Sequence, residues 1–237
     1  MKQKNSKTGF ERNVTVKEEG PQAVVAPTLP PGEFMPHWQA FSQQQNLTLI
    51  KLPPTDPEYV QVEKKFKETQ KSNIIEIQKV YNTRLRMLFD LELSQVKQKY
   101  NNDPSIPYIK LLFHGTSKTE PSFIYNGEKG FMMQFAAEGM WGRGTYFAEK
   151  ATYSNNYAFQ TPQAKRQMFL AEVIVGESHY CEPDRTLKVP PEKKNKRSNL
   201  GLASERYDSV SGTTGGSKVW IVYDNNKAYP SYLITYS

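Results

Sequence analysis

Apolar residues in this chain gather in short runs separated by turn-forming and charged residues. Seven such runs are rich in Ile, Val, Phe or Tyr and predict strands: Leu47 to Leu52, Ile74 to Tyr81, Lys110 to His114, Gly144 to Phe147, Met168 to Val175, Lys218 to Tyr223 and Tyr232 to Tyr236. Helical periodicity appears in fewer places. Asp56-Pro57 supplies an N-cap followed by proline at the first helical position, and Tyr59, Val62 and Phe66 then fall at i, i+3 and i+7. A second helix, with Thr83 as its predicted cap, carries Leu85, Phe89, Leu93, Val96 and Tyr100 down one face at steps of three or four. A short third helix is predicted over Lys150 to Phe159. Strands outnumber helices and the helices concentrate in the first half, so the pattern points to an α+β fold rather than a regular βαβ repeat. Gly139, Gly142 and Gly144 precede a strand and the helix after it lacks a GxGxxG start, which excludes a Rossmann reading.

The first 35 residues read differently. Met1 to Gly20 is polar with mixed charge, and Pro21, Pro27, Pro30, Pro31 and Pro36 fall in the next sixteen residues, so residues 1–35 are expected to be a disordered, Pro-rich tail and 36–237 one folded domain. With 237 residues, 37% hydrophobic and 23% charged, the chain can bury the core of one large domain. Its 31 Lys and Arg against 24 Asp and Glu leave +7, a mild excess that fits an anionic ligand but is less lopsided than a dedicated nucleic-acid binder. One cysteine, Cys181, allows neither an intramolecular disulfide nor a Cys-based metal site, and it fits a reducing compartment, cytoplasm or nucleus. No run approaches the roughly 18 apolar residues of a membrane helix, and Met1 to Gly20 lacks the apolar core of a signal peptide. The expectation is an intracellular monomer without membrane contact.

Candidate chemistry is sparse. The three histidines, His37, His114 and His179, form no HxxxH or HxH, so no metal site is expected. His114 ends the apolar run Leu111-Leu112-Phe113 and is followed by Gly115 and Thr116, so an imidazole and a close backbone approach can share one strand end; a purely structural edge role fits as well. The segment Gly142 to Ala148 leads into Tyr153-Ser154-Asn155-Asn156-Tyr157. Tyrosines flanking a hydroxyl suit a flat heteroaromatic ring, each aromatic pair being worth about 0.5–1.5 kcal/mol beyond its buried area, although core tyrosines would give the same pattern. Arg185 to Arg197 holds six basic residues and one acid, which would serve nuclear import or nucleic-acid contact, but no aromatics interleave and a solvated loop is favoured. Cys181 reads as a buried or edge thiol and His37 as packing at the domain entrance.

Taken together, a strand ending in LFHGT, a GRGTYFA strand thirty residues later and an SNNY helix resemble the catalytic domain of the poly(ADP-ribose) polymerase superfamily, the diphtheria-toxin-like ADP-ribosyltransferases. The entry PHWQAF, the segment LPPTDPEYVQVEKKF and the terminal KAYPSYLITY are similar to the macrodomain-associated mono-ADP-ribosyltransferases, so the resemblance covers about residues 36–237. It implies an ADP-ribosyltransferase fold of split, mixed and antiparallel sheets flanked by a few helices, with NAD as co-substrate and no metal. By motif matching, His114 would bond a ribose hydroxyl, Gly115 would hold the nicotinamide carboxamide through its backbone, and Thr116 would lie near the adenosine. Tyr146 and Tyr157 would sandwich the nicotinamide ring, Ser154 would bond its amide, and Phe131 to Trp141 would be the loop over the donor. That loop is either mobile about Gly130, Gly139 and Gly142 or packed inward through Met132 and Met133.

The third motif departs from the polymer-forming members, which carry a glutamate near the start of the penultimate strand. Counting back from Asp224 or Tyr232 places Val219 there, and none of Ser217 to Ile221 is acidic. The implied catalytic positions are therefore His114, Tyr146 and Val219, and the implied product is a single ADP-ribose on a protein acceptor, either the chain itself or another protein. Two alternatives share the fold: a catalytically inactive module that binds NAD or ADP-ribose, and an RNA-directed transferase that uses the basic loop.

Overall fold

The computed structural model describes residues 46–194 and 204–237, together with the backbone of two short strands nearer the N-terminus. Those strands, β1 (Lys2–Lys4) and β2 (Glu11–Asn13), pair antiparallel with Lys2 opposite Asn13. The chain divides between Ser42 and Gln43 into two units, and everything below concerns the second. The Pro-rich stretch, His37 and PHWQAF lie outside the described residues, as do Asn195, Lys196 and Arg197.

In chain order the second unit contains β3 (Leu47–Lys51), α1 (Pro57–Lys67), β4 (Ile74–Asn82), α2 (Thr83–Lys99), β5 (Ile109–His114), α3 (Ser122–Tyr125), β6 (Glu138–Gly139), β7 (Gly142–Arg143), β8 (Thr145–Ala148) and α4 (Ala151–Asn155). β9 (Phe159–Gln160), β10 (Arg166–Ile174), β11 (Ser178–Tyr180), β12 (Ser209–Thr214), β13 (Ser217–Val222) and β14 (Ala228–Tyr236) complete it. No helix among the described residues is long and apolar enough to cross a membrane.

Local chemistry explains the helix ends. Asp56 caps α1 by accepting from the Glu58 amide at 2.7 Å, with Pro57 at the first helical position where its missing N–H costs nothing. The cap of α2 is Asn82 rather than Thr83. Asn82 keeps extended backbone at the end of β4, and its side-chain oxygen accepts from the Leu85 amide at 3.0 Å; Thr83 is already helical. The third helix stops at Asn155, well short of Phe159, which instead opens β9 against β10.

Apart from β6 and β7, which pair with each other, the strands of this unit form one mixed sheet in the order β11-β12-β13-β8-β5-β10-β14-β4-β3, with β9 on the side of β10. β11 and β12 run parallel and the other neighbours antiparallel. β10 is ladder-bonded along its length to β5 and β14, whereas β5 meets β8 only at the pair Phe113 and Ala148. The sheet is thus nearly split at a seam between β5 and β8.

Side chains bridge the seam where the ladder does not: Leu112, Phe169 and Leu233 on one side share a buried cluster with Phe147, Trp220 and Val222 on the other. The buried residues Tyr59, Val62 and Phe66 of α1 pack with Phe113, Leu170, Ile234 and Tyr236, and Leu85, Phe89, Val96 and Tyr100 of the α2 region pack with Ile174 and Tyr229. Across the seam, Trp141, Ala148, Val210, Val219, Ile221 and Tyr223 make a separate apolar cluster. Each fully buried large side chain there contributes about 1.5–3 kcal/mol by leaving water. β12, SVSGTT, is a strand the hydrophobic pattern does not announce. It is buried nonetheless: Ser209 Oγ donates to the Val175 carbonyl at 2.7 Å, and a Cβ on Gly212 would lie 2.0 Å from Trp141 Cζ2.

The expectation of a solvated basic loop fails at Lys193. Its side chain is 1% exposed and donates to Glu177 at 2.8 Å and to the Tyr100 hydroxyl, which in turn donates to Asp208. Asp208 also accepts from Lys99 at 2.8 Å. Burying an ammonium is tolerable only when it is paired and hydrogen-bonded in this way.

Candidate active site at the sheet seam

His114 is the last residue of β5, opposite Phe169 of β10, and it stands at the mouth of the seam. Its Nδ1 is 2.7 Å from the main-chain carbonyl oxygen of Tyr146 in β8. A carbonyl only accepts, so Nδ1 carries the hydrogen. The imidazole is walled by Phe131 and Phe147, each with its ring centre 5.1 Å away. Desolvation among these rings lowers its pKa from 6.5 to about 4, a fall opposed only in part by the Tyr146 carbonyl. The ring is neutral near pH 7, and Nε2 is left with a lone pair suited to accept from a ligand hydroxyl.

Past His114 the chain runs hard against the end of α4. A Cβ on Gly115 would lie 2.4 Å from the main-chain carbon and oxygen of Tyr157 and 2.6 Å from the Ser154 carbonyl oxygen, so only glycine fits. The Ser117 amide then donates to the Tyr157 carbonyl at 2.6 Å. Thr116 is buried and its hydroxyl donates to the Thr119 carbonyl at 2.6 Å, so that hydrogen serves the turn.

The two motif tyrosines sit in unlike surroundings. The Tyr146 hydroxyl accepts from the Trp141 amide at 2.8 Å and donates to the Gly142 carbonyl at 2.8 Å, and burial pushes its pKa up to about 12. A Cβ on Gly139 would lie 2.5 Å from Tyr146 Cζ, so β6 lies directly on that phenol. Tyr157 is 47% exposed, and its ring neighbour among the described residues is Tyr153, 5.6 Å away and tilted by 49°. Ser154, 3% exposed, lies between these two on α4. His114, Gly115, Ser154 and Tyr157 therefore gather at one end of the seam, with Tyr146 on the opposing strand.

The segment between Phe131 and Trp141 is anchored at both ends. Phe131 packs on Phe169 and Phe147, and Trp141 is fully buried with its Nε1 donating to the Cys181 carbonyl at 3.0 Å. Met133 packs partly on the β8–β13 cluster while its amide donates to Asn225 Oδ1 at 2.7 Å, and Phe135 is 81% exposed. The inward-packed alternative is the arrangement seen for Met133. The tie to Asn225, 92 residues away, carries no local sequence signal.

Val219 is fully buried in β13, opposite Ala148 of β8 and Gly212 of β12. Its surroundings are the apolar cluster of Trp141, Val210 and Ile221. No group of three or more His, Cys, Asp or Glu able to hold a metal occurs among the described residues. Cys181 is half-buried, and burial raises its thiol pKa, as in an inert thiol.

Residues 56–237 match the family described as poly(ADP-ribose) polymerase catalytic domain. The chain is 32% identical over 201 residues to a probable poly [ADP-ribose] polymerase of Dictyostelium discoideum, covering 83% of this chain and 55% of that protein. It is 32% identical over 225 residues to the human protein mono-ADP-ribosyltransferase PARP11, covering 85% and 62%. The human protein mono-ADP-ribosyltransferase PARP14 is 30% identical over 203 residues, 84% of this chain and 11% of its own length. The chain thus spans from about a tenth to about three fifths of these relatives.

Proposed function

As a member of the poly(ADP-ribose) polymerase catalytic-domain family, the chain, we propose, transfers one ADP-ribose unit from NAD to a protein acceptor and releases nicotinamide. The observation that carries this reading is the state of His114: neutral, with Nδ1–H committed to Tyr146 and Nε2 free to accept from a ribose hydroxyl beside the glycine-only approach at Gly115. The close approach of Gly115 to the Tyr157 main chain, which sets the buried Ser154 and the exposed Tyr157 beside the strand end, suits a flat ring bearing a carboxamide. NAD supplies an anomeric carbon whose bond to the nicotinamide nitrogen breaks as a bond to the acceptor atom forms, the acceptor proton passing to solvent. His114 and Gly115 would hold ribose and carboxamide in a leaving-ready pose, and the tyrosines would hold the ring plane; positioning of this kind supplies much of the rate.

Val219 supports single transfer. Elongation needs a sugar hydroxyl to attack, and a group within hydrogen-bond reach must polarise it or take its proton. A buried valine has no acceptor atom. An acidic acceptor side chain brings its own negative charge and can stabilise the developing cation without such a base.

Incubation of the chain with labelled NAD tests the reading. Label should enter the chain or an added protein in single units. Binding of NAD without transfer would identify an inactive module, and label entering added RNA instead would identify an RNA-directed transferase.

A further inference from the structure

We infer that Tyr153 is a positioning residue of the donor site: it braces the half-exposed Tyr157 ring in the orientation on which a flat ligand ring stacks. The inference rests on the donor-site reading above and adds to it a residue outside the three motif positions of His114, Tyr146 and Val219.

The need for a brace follows from the surroundings of Tyr157. Its main chain is fixed, since its amide donates to the Ser154 carbonyl at 3.0 Å and its carbonyl accepts from Ser117. Its side chain is 47% exposed, and an exposed ring free to turn loses rotamer entropy each time a ligand stacks on it. A ring held beforehand avoids that loss. Tyr153, four residues earlier, lies 5.6 Å from it, the two ring planes tilted by 49°.

Tyr153 is itself held from behind. The turn between β12 and β13 places Gly215, at φ +53°, so that a Cβ there would lie 3.0 Å from Tyr153 Cδ2 and Cε2. The Tyr153 ring packs against the Ala148 and Val219 cluster, and the start of α4 is tied to β13 by the Lys150 amide donating to Ser217 Oγ at 3.2 Å. Burial and the neighbouring Tyr157 both raise the Tyr153 pKa, so its hydroxyl stays protonated. The brace therefore runs from β13, through Tyr153, to Tyr157.

Kinetics of NAD turnover by the full chain, by Tyr153→Leu, by Tyr157→Ala and by the double variant test this. Tyr153→Leu removes the ring on which Tyr157 rests, so the KM for NAD should rise about 3- to 10-fold while kcat stays within about twofold, and Tyr153→Phe, which keeps that ring, should stay close to the parent. In the Tyr157→Ala background the Tyr153→Leu change should have no further effect, because the ring it orients is already gone. A parental KM in Tyr153→Leu, or an equal rise in both backgrounds, would overturn the assignment while leaving the donor-site reading intact. A parental chain that neither binds nor turns over NAD would overturn both.

Discussion

His114 and Tyr146 are joined across the seam by a bond from an imidazole N–H to a main-chain carbonyl, 2.7 Å long. The bond does two things at once. It selects the tautomer of His114, and it ties the ends of β5 and β8 next to their one ladder pair. Site chemistry and sheet closure therefore share a single contact.

The acid dependence of stability should report this directly. His114 titrates at about 4 in the folded chain against 6.5 for an exposed histidine. Between those values the unfolded chain binds more protons, so the contribution of His114 is complete above about pH 6.5 and is lost as the pH falls towards 4. Chemical denaturation at pH 7 and pH 4.5 should show a larger loss in the parent than in His114→Gln. NAD binding should show no inflection near pH 6.5 that disappears in this variant.

Gly115→Ala should abolish donor use. The added methyl group would meet the Tyr157 main chain at 2.4 Å, and a main-chain obstacle cannot swing aside as a side chain can. Either β5 or α4 must shift, so NAD affinity should fall at least tenfold, with a stability loss of about 1–3 kcal/mol. Isothermal titration and thermal melting measure both; unaltered affinity would contradict the close approach.

Tyr146→Phe separates the ring from its hydroxyl. The ring remains, but the Trp141 amide loses its acceptor and the Gly142 carbonyl its donor. Stability should fall by about 1–2 kcal/mol, and limited proteolysis should accelerate between Phe131 and Trp141. Equal cleavage rates in parent and variant would show that the phenol does not hold that segment.

Val219→Glu should not create a polymerase. The new carboxylate would lie within the apolar cluster of Trp141, Val210 and Ile221, where an unpaired charge is costly, so the variant should melt lower and still yield single ADP-ribose units. Digestion of labelled product to its attached units is the measurement, and oligomer ladders from the variant would sink the argument.

Much of this arrangement was legible in the residues, and the parts that were not have identifiable causes. Asp56-Pro57 is a complete local instruction, and the α2 face of Leu85, Phe89 and Val96 buries as its spacing demands. Thr83 is a cap residue by type, but Asn82, one residue earlier, both finishes β4 and caps α2. β12 carries no hydrophobic signal because Ser209, Ser211 and Gly212 are buried for reasons held elsewhere, in the Val175 carbonyl and the Trp141 ring. Lys193 has a solvated signature for the same kind of reason: its partners Glu177 and Tyr100 are distant in sequence. At the site, Gly115 lies against the main chain of Ser154 and Tyr157 with His114 beside it, whereas Tyr153 and Asn225 gain meaning only from contacts across the fold.

Because β5 and β8 share so short an edge, the halves of the sheet can part there while the β10–β14 and β14–β4 ladders stay closed. Amide hydrogen exchange should then be graded, slowest in β10 and β14 and faster where β5 ends and β8 begins. In the proposed reaction, nicotinamide would leave from the His114 end of this same seam, so the place where the sheet is least bonded and the place where the leaving group departs would coincide.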